Sequence, residues 1–392
     1  MTKRAVGLLL LIMATTLYSQ GQRLVRYQKE KKQYGYRDFA GKVIIEPIYE
    51  DAEGFNDDGL GEVKLNGEWG FIDSTGKVVV PLKYDFISNR YGGYYAVRLD
   101  GKYGFINTLG KEIIPLQYDE AGFFSEGLAA VKTKNKWGYI DSINKVVLPF
   151  QYHGASAFYE GLAMVSNKKG LGFINKSGRL VANYKYSFAD DFSEGMAKVE
   201  LNYKVGFIDK TGKEAIPLKY SSASSFKNGY ATVTLNKFTA FVNKAGRNIT
   251  PFKFTDARDF LDGLAAVTYH GSWGFINMRG QEVIPVRYQE VSDFKEGLAT
   301  MKINDKWGII DKVGKEIVVA NYDEIREYSE GLVAVQSGGK WGYLDRTGKM
   351  VIPLKYREVG IFLHGMARVT VGPGNENDYF ITKTGKRIQL SP

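Results

Sequence analysis

Seven carboxylates recur at one place in this 392-residue chain: Asp58, Glu126, Glu160, Glu194, Asp262, Glu296 and Glu330, each directly before a glycine. Such a ladder resembles a cation-binding series. Gly92, Asn228 and His364 interrupt it, however, which a required ligand set would not tolerate, so polar turn residues in solvent are expected instead. His153, His270 and His364 are the three histidines, and each stands at a different position of the repeat described below. With no cysteine and no His-x-x-x-His spacing, a transition-metal site has no sequence support. No Gly-x-Ser-x-Gly element marks a nucleophile. Glycoside hydrolysis needs only two carboxylates at a suitable separation. Asp190, Asp191 and Asp262 are available for it, but nothing picks them out. Phosphate-loop and dinucleotide fingerprints are missing, and Gly-Pro-Gly at 372–374 reads as a loop. A catalytic group should be singular, whereas this chain makes its groups plural. No catalytic, cofactor-binding or metal-binding residue is therefore expected, and no enzyme.

The plurality comes from an internal repeat. Trp69, Trp137, Trp273, Trp307 and Trp341 are all the tryptophans, and each precedes a glycine. Those glycines differ in position by multiples of 34. The series continues through Gly104, Gly172, Gly206 and Ala240, and one extra residue puts Gly35 at its head. Ten units result, with a partial eleventh from Asp378. The best-kept form is Trp-Gly-Phe/Tyr-Ile-Asp, a Gly-Lys turn, an apolar run with Pro and Tyr, then Phe-x-x-Gly-Leu-Ala-x-Val. Lys136–Asp141 reads Lys-Trp-Gly-Tyr-Ile-Asp and Lys340–Asp345 reads Lys-Trp-Gly-Tyr-Leu-Asp. Over roughly residues 33 to 371 the chain resembles the WG-repeat (KWG-repeat) family. That resemblance implies a bacterial, β-rich interaction module and supplies no catalytic residues.

The elements that must position these residues are strands. Each unit holds three short apolar runs separated by turn signals, with no sustained helical period. In one unit they are 128–132, 136–141 and 145–148. Ten of eleven second turns end on glycine, among them Gly41, Gly76, Gly110, Gly178 and Gly348; Asn144 is the exception. A three-residue hairpin loop needs a left-handed residue there. Glycine beside Trp implies the close approach of another chain or a bulge. The aromatic series is expected to stack between units. Pro81 and its equivalents are expected to end the third strand. The expected fold is all-β: tandem 34-residue repeats of three short antiparallel strands in an open superhelical array. The alternative is a closed propeller-like toroid or two five-unit rings. Leu171, Val205 and Thr239 replace Trp in the middle, so units five to seven are expected to be the least stable.

Residues 1–20 read as a secretory signal, with Lys3 and Arg4 before the apolar Ala5 to Met13. Residues 21–33 read as a capping strand, 34–371 as the ten repeats, and 372–392 as a polar insertion and partial capping repeat. The apolar run is too short for a comfortable membrane span, so no transmembrane segment is expected in the mature chain. The net charge is +10, and its basic residues recur along the array. Nucleic acid is not an expected partner, since its binders usually gather charge into a patch. Weak attraction to anionic envelope polymers fits better.

The expected function is an exported scaffold (periplasmic, cell-surface or secreted) mediating protein–protein contact at the bacterial envelope. A carbohydrate-binding module for an envelope polysaccharide is the alternative, and an envelope-acting hydrolase the third reading. Positions that depart from the repeat are where specificity should lie, foremost Tyr91, Tyr94 and Tyr95, and Thr239-Ala240 in the middle.

Overall fold

The computed structural model describes residues 24–29, 33–38, 42–372 and 378–388. The expected signal segment and Gly41 lie outside them. Among the described residues every regular element is a β-strand. The chain divides into two compact units, one running up to Gln151 and one from Tyr152 to Ile388.

In the first unit a typical sheet is built from Asp51–Phe55, Gly61–Leu65, Glu68–Ile72 and Val78–Tyr84, antiparallel and in chain order. In the second unit Gly154–Ala155, Leu162–Asn167, Gly170–Asn175 and Leu180–Tyr186 repeat that order. Most sheets thus have four strands, where the apolar runs led us to expect three. The extra one follows the Tyr and is usually two residues long. A segment so short has no room for apolar alternation, which is why periodicity missed it. Four antiparallel strands in chain order are the blade of a propeller-like repeat, so the sheets match that alternative.

The proline expectation also needs correcting. Pro81 lies inside Val78–Tyr84 and does not end it. The strand is the last of its sheet, and its pairing with Glu68–Ile72 slips twice, at Trp69/Phe71 and Phe71/Ile72. An edge strand with a bulge tolerates a residue that cannot donate. The same bulge explains Gly70. A Cβ there would lie 2.5 Å from the Val80 carbonyl oxygen. The close approach inferred from the Trp-Gly pair is therefore that of the sheet's own edge strand.

The cores lie between consecutive sheets. Val205, Phe207, Ile216 and Tyr220 of one sheet pack with Phe226, Ala231, Val233 and Val242 of the next sheet and its approach. At the centre of such an interface the aromatic after the Trp-Gly pair meets a ring nineteen residues later. Phe173–Phe192, Phe207–Phe226, Phe241–Phe260, Phe275–Phe294 and Tyr343–Phe362 have centroids 4.8–5.1 Å apart in the second unit. Tyr36–Phe55 and Phe105–Phe124, both at 4.8 Å, repeat this in the first. Rings do stack between repeats, then, but these are the neighbours of Trp and not Trp itself. Such a ring clasp contributes about 0.5–1.5 kcal/mol beyond its buried area.

The tryptophans are half-buried apart from Trp341, which is 2% exposed. They serve as platforms for cations. Lys64, Lys132 and Lys302 sit 5.5, 6.0 and 5.7 Å above Trp69, Trp137 and Trp307. Arg258 and Arg326 cover Trp273 and Trp341 at 4.6 and 4.3 Å. Arg326 also donates to the Val359 carbonyl. In the middle, the segment after Gly246 pairs with Phe238–Asn243 only through single bridges, and that sheet has three strands.

Two outcomes are expected. Trp341→Ala should cost about 3–5 kcal/mol in urea unfolding, and Trp307→Ala clearly less; equal losses would contradict the role of burial. Hydrogen exchange should find residues 222–254 the least protected part of the second unit, and a best-protected middle would overturn that view.

Candidate functional site

The carboxylate ladder forms staples. Glu126, Glu160, Glu194, Asp262, Glu296 and Glu330 all have φ of 50–53°, and the glycine after each is also left-handed. This is the two-residue turn that suits a hairpin's twist. From there the side chain reaches the next repeat. Glu160, Glu194, Asp262 and Glu330 accept from the backbone N–H of Gly195, Gly229, Gly297 and Gly365 at 2.7–2.9 Å. Lys244, Lys312 and Lys383 complete three of these contacts at 2.5–3.1 Å. The Lys312 ammonium and the Gly297 N–H hold the Asp262 carboxyl below its usual range against a smaller effect of burial. Asn228 keeps the link with an amide donated to the Phe260 carbonyl at 2.7 Å. The ladder is therefore structural, though less solvated than its turn position suggested.

Two hollows lie beside positions where the ring clasp is altered. In the first unit the clasp position opposite Phe71 holds Arg90, and Tyr95 supplies the ring instead at 4.8 Å. A hollow of about 380 Å³ lies beside it, lined by Glu53, Asn56, Asp58, Glu62, Arg90 and Tyr95 among others. Arg90 pairs with Asp58 at 2.6 Å. The Asn56 amide donates to the Tyr95 hydroxyl at 3.0 Å, and that hydroxyl donates to Asp58 at 3.3 Å. Burial, then the charges of Glu53 and Asp51, push the Glu62 carboxyl up to about 7. Sequence reasoning missed Glu62, although a signal existed: the nine later copies hold Ala, Met, Lys, Thr or Arg there. A perturbed carboxyl in a cleft marks a candidate site.

In the second unit the clasp aromatic is replaced by Ile309, which shares its cluster with Tyr328. A groove of about 780 Å³ opens there, lined by Leu261, Phe294, Leu298, Ile325, Tyr328 and Ile361, with Asp293, Lys295, Arg326 and Glu327 at its polar margin. Ile361 is 47% exposed. Burial raises the Tyr328 hydroxyl to about 12, so it stays neutral.

The residues singled out from sequence divide. Tyr91 is exposed and stacks on Phe123 at 4.3 Å, Tyr94 is half-buried against Phe124, and Tyr95 is buried at 2%. Alternation along Tyr94–Leu99 sends Tyr95 to the face opposite Tyr94, while Tyr91 and Tyr94 form a backbone bridge. Gly76, Gly110, Gly178 and Gly348 have φ of 86, 74, 79 and 83°, as their turns require. Asp190 accepts from Ser225 and pairs with Lys198, and Asp191 accepts from Ser156. Burial raises the Asp191 carboxyl. No group of three or more His, Asp or Glu poised for a metal occurs among the described residues, and no described helix is long and apolar enough to cross a membrane.

Glu62 sets a pH test. Its carboxyl is raised in the folded chain, so the native state holds the proton more tightly between the ordinary 4.5 and about 7. Stability should then fall as pH rises through that window. Glu62→Gln should raise Tm at pH 8 and leave it nearly unchanged at pH 4; a uniform loss at both would contradict the strained carboxylate.

No curated protein matches the chain. Solved structures resemble it distantly. One titled as the eukaryotic initiation factor is 12% identical, with a TM-score of 0.39, covering 75% of this chain and 94% of that one. Hsv2p of Kluyveromyces lactis is 12% identical at 0.33, covering 67% and 96%. PorZ of Porphyromonas gingivalis, a bacterial surface component of the type-IX secretion system, is 9% identical at 0.27, covering 94% and 56%. At such scores none of the neighbours' activities carries over. The family model for the WG containing repeat, by contrast, matches ten consecutive stretches from 34–69 to 341–372. Those stretches contain the Trp-Gly pairs, the left-handed turns and the carboxylate staples, and the chain belongs to the WG containing repeat family.

Proposed function

We propose that the chain is an exported, non-enzymatic scaffold that holds a partner protein at the bacterial envelope. The observation that carries the reading is the groove beside Tyr328. Its apolar floor and margin of both charge signs have the composition of an interface core with a polar rim. It fits an extended segment that inserts apolar side chains, with Asp293, Lys295 and Glu327 setting the register. Neighbouring repeats offer similar turns, so weak contacts can add by avidity. Export is supported by the Lys3-Arg4 start and the apolar stretch after it. The carboxylates of the ladder are occupied as staples, which supports a binding role over hydrolysis.

Retention of the purified protein on envelope fractions tests this. Prior protease treatment of the fraction should abolish retention, and Ile361→Asp should lower it several-fold with the fold intact. Retention unchanged by both would refute a protein partner in the groove.

A further inference from the structure

The middle repeats of the second unit have lost more than Trp. In two other repeats an aspartate after the edge strand neutralises the hairpin lysine beside it: Lys102–Asp119 at 2.6 Å and Lys306–Asp323 at 2.5 Å. The equivalents of that aspartate in the middle are Ser187, Ser221 and Thr255. Their hydroxyls donate to the carbonyls of Glu200, Thr234 and Thr268. The lysines remain. Lys185, Lys219 and Lys253 end successive edge segments, each ammonium 5.1–5.2 Å from the ring that follows it. Pairing of Leu171 with Tyr186, Val205 with Tyr220 and Thr239 with Phe254 sets the hairpin tips beside them. Those tips carry Lys169, Lys204 and Lys237. None of these six ammonium groups has an ion-pair partner among the described residues. Two carboxylates lie on the adjoining strands: Glu200 accepts from Ser187 at 3.1 Å and Asp256 from the Ala257 N–H at 2.8 Å.

The tips hold a second anomaly. Asn202 and Tyr203 have φ of 51 and 59°, and Asn236 and Lys237 have 51 and 72°. The second position of this turn holds Gly67, Gly101, Asn135, Gly271, Asp305 and Gly339 elsewhere. Those are residue types that enter the left-handed region readily; a bulky tyrosine does so at a cost. Tyr203 is 89% exposed, so no packing in the fold calls for it, and Phe238 is 45% exposed one repeat on. Strain held at a surface aromatic is a pointer to function.

We infer that this rim binds a linear acidic polysaccharide. Its carboxylates would meet the lysines, and the apolar faces of its sugar rings would lie on Tyr203 and Phe238, since aromatic bodies suit such faces. Stacked sheets recur roughly every 10 Å. That interval suits a polymer charged once per one or two sugars better than a nucleic-acid duplex with a charge every ~1.7 Å of axis. The rings under Lys185, Lys219 and Lys253 are buried, so they offer bases no continuous stacking track of the kind single strands use.

Affinity electrophoresis of the full chain through gels containing polygalacturonate, neutral dextran or an oligodeoxythymidylate tests the inference. Retardation is expected in polygalacturonate, weakening with salt, and not in dextran. Lys204→Glu with Lys219→Glu should weaken it about tenfold or more. Tyr203→Gly, which relieves the backbone and keeps the fold, should weaken it several-fold with Tm no lower than the parent's. Equal retardation in dextran, stronger retardation by the oligonucleotide, or variants that migrate like the parent chain would each overturn the proposal.

Discussion

A four-stranded sheet with apolar side chains on both faces cannot bury them alone. The molecule depends on that constraint. In most repeats two rings nineteen residues apart meet at the centre of the interface, and in four a carboxylate at the turn accepts from a backbone N–H of the next repeat. The first contact is apolar and sits within a larger buried cluster. The second satisfies a polar group and orients the turn. Stability is then nearly a sum of interface contributions, as in other repeat proteins.

The same arrangement explains where hollows occur. Where Arg90 replaces the expected ring, the interface becomes polar, and Glu62 finds itself partly desolvated among other carboxylates. Where Ile309 replaces it, the interface stays apolar and packed, and a groove lies beside its partner Tyr328. Edge strands are protected differently. Each exposes a proline and a lysine or arginine in its best-kept form, as Pro81 with Lys83, and Pro285 with Arg287. Both residue types discourage edge-to-edge pairing. The middle repeats keep those edge cations and hold Ser187, Ser221 and Thr255 where Asp119 and Asp323 balance a hairpin lysine in two other repeats.

The repeat, its turns and its all-β character were legible because they rest on residue chemistry that is local. Gly76 or Asn144 can be assigned to left-handed backbone without knowing any neighbour. The two-residue outer strands were not legible, because a strand such as Phe188–Ala189 exists only through its partners Glu200 and Val199. Tryptophan was over-read: its frequency suggested a buried stack, whereas the adjacent Phe or Tyr makes the inter-sheet contact. The hollows were present in the sequence as Arg90, Glu62 and Ile309, each differing from its copies. Finding them required knowing which repeat position closes the interface. Of the tyrosines that drew notice as a group, strand alternation turns Tyr95 away from Tyr94, while Tyr91 and Tyr94 stay paired.

A double-mutant cycle on Phe207 and Phe226, each changed to Leu, measures the ring contact directly. If the clasp couples neighbouring sheets, the two losses in unfolding free energy should be non-additive by about 0.5–1.5 kcal/mol. Additive losses would mean that each ring is merely buried, and the account of the interfaces would fail.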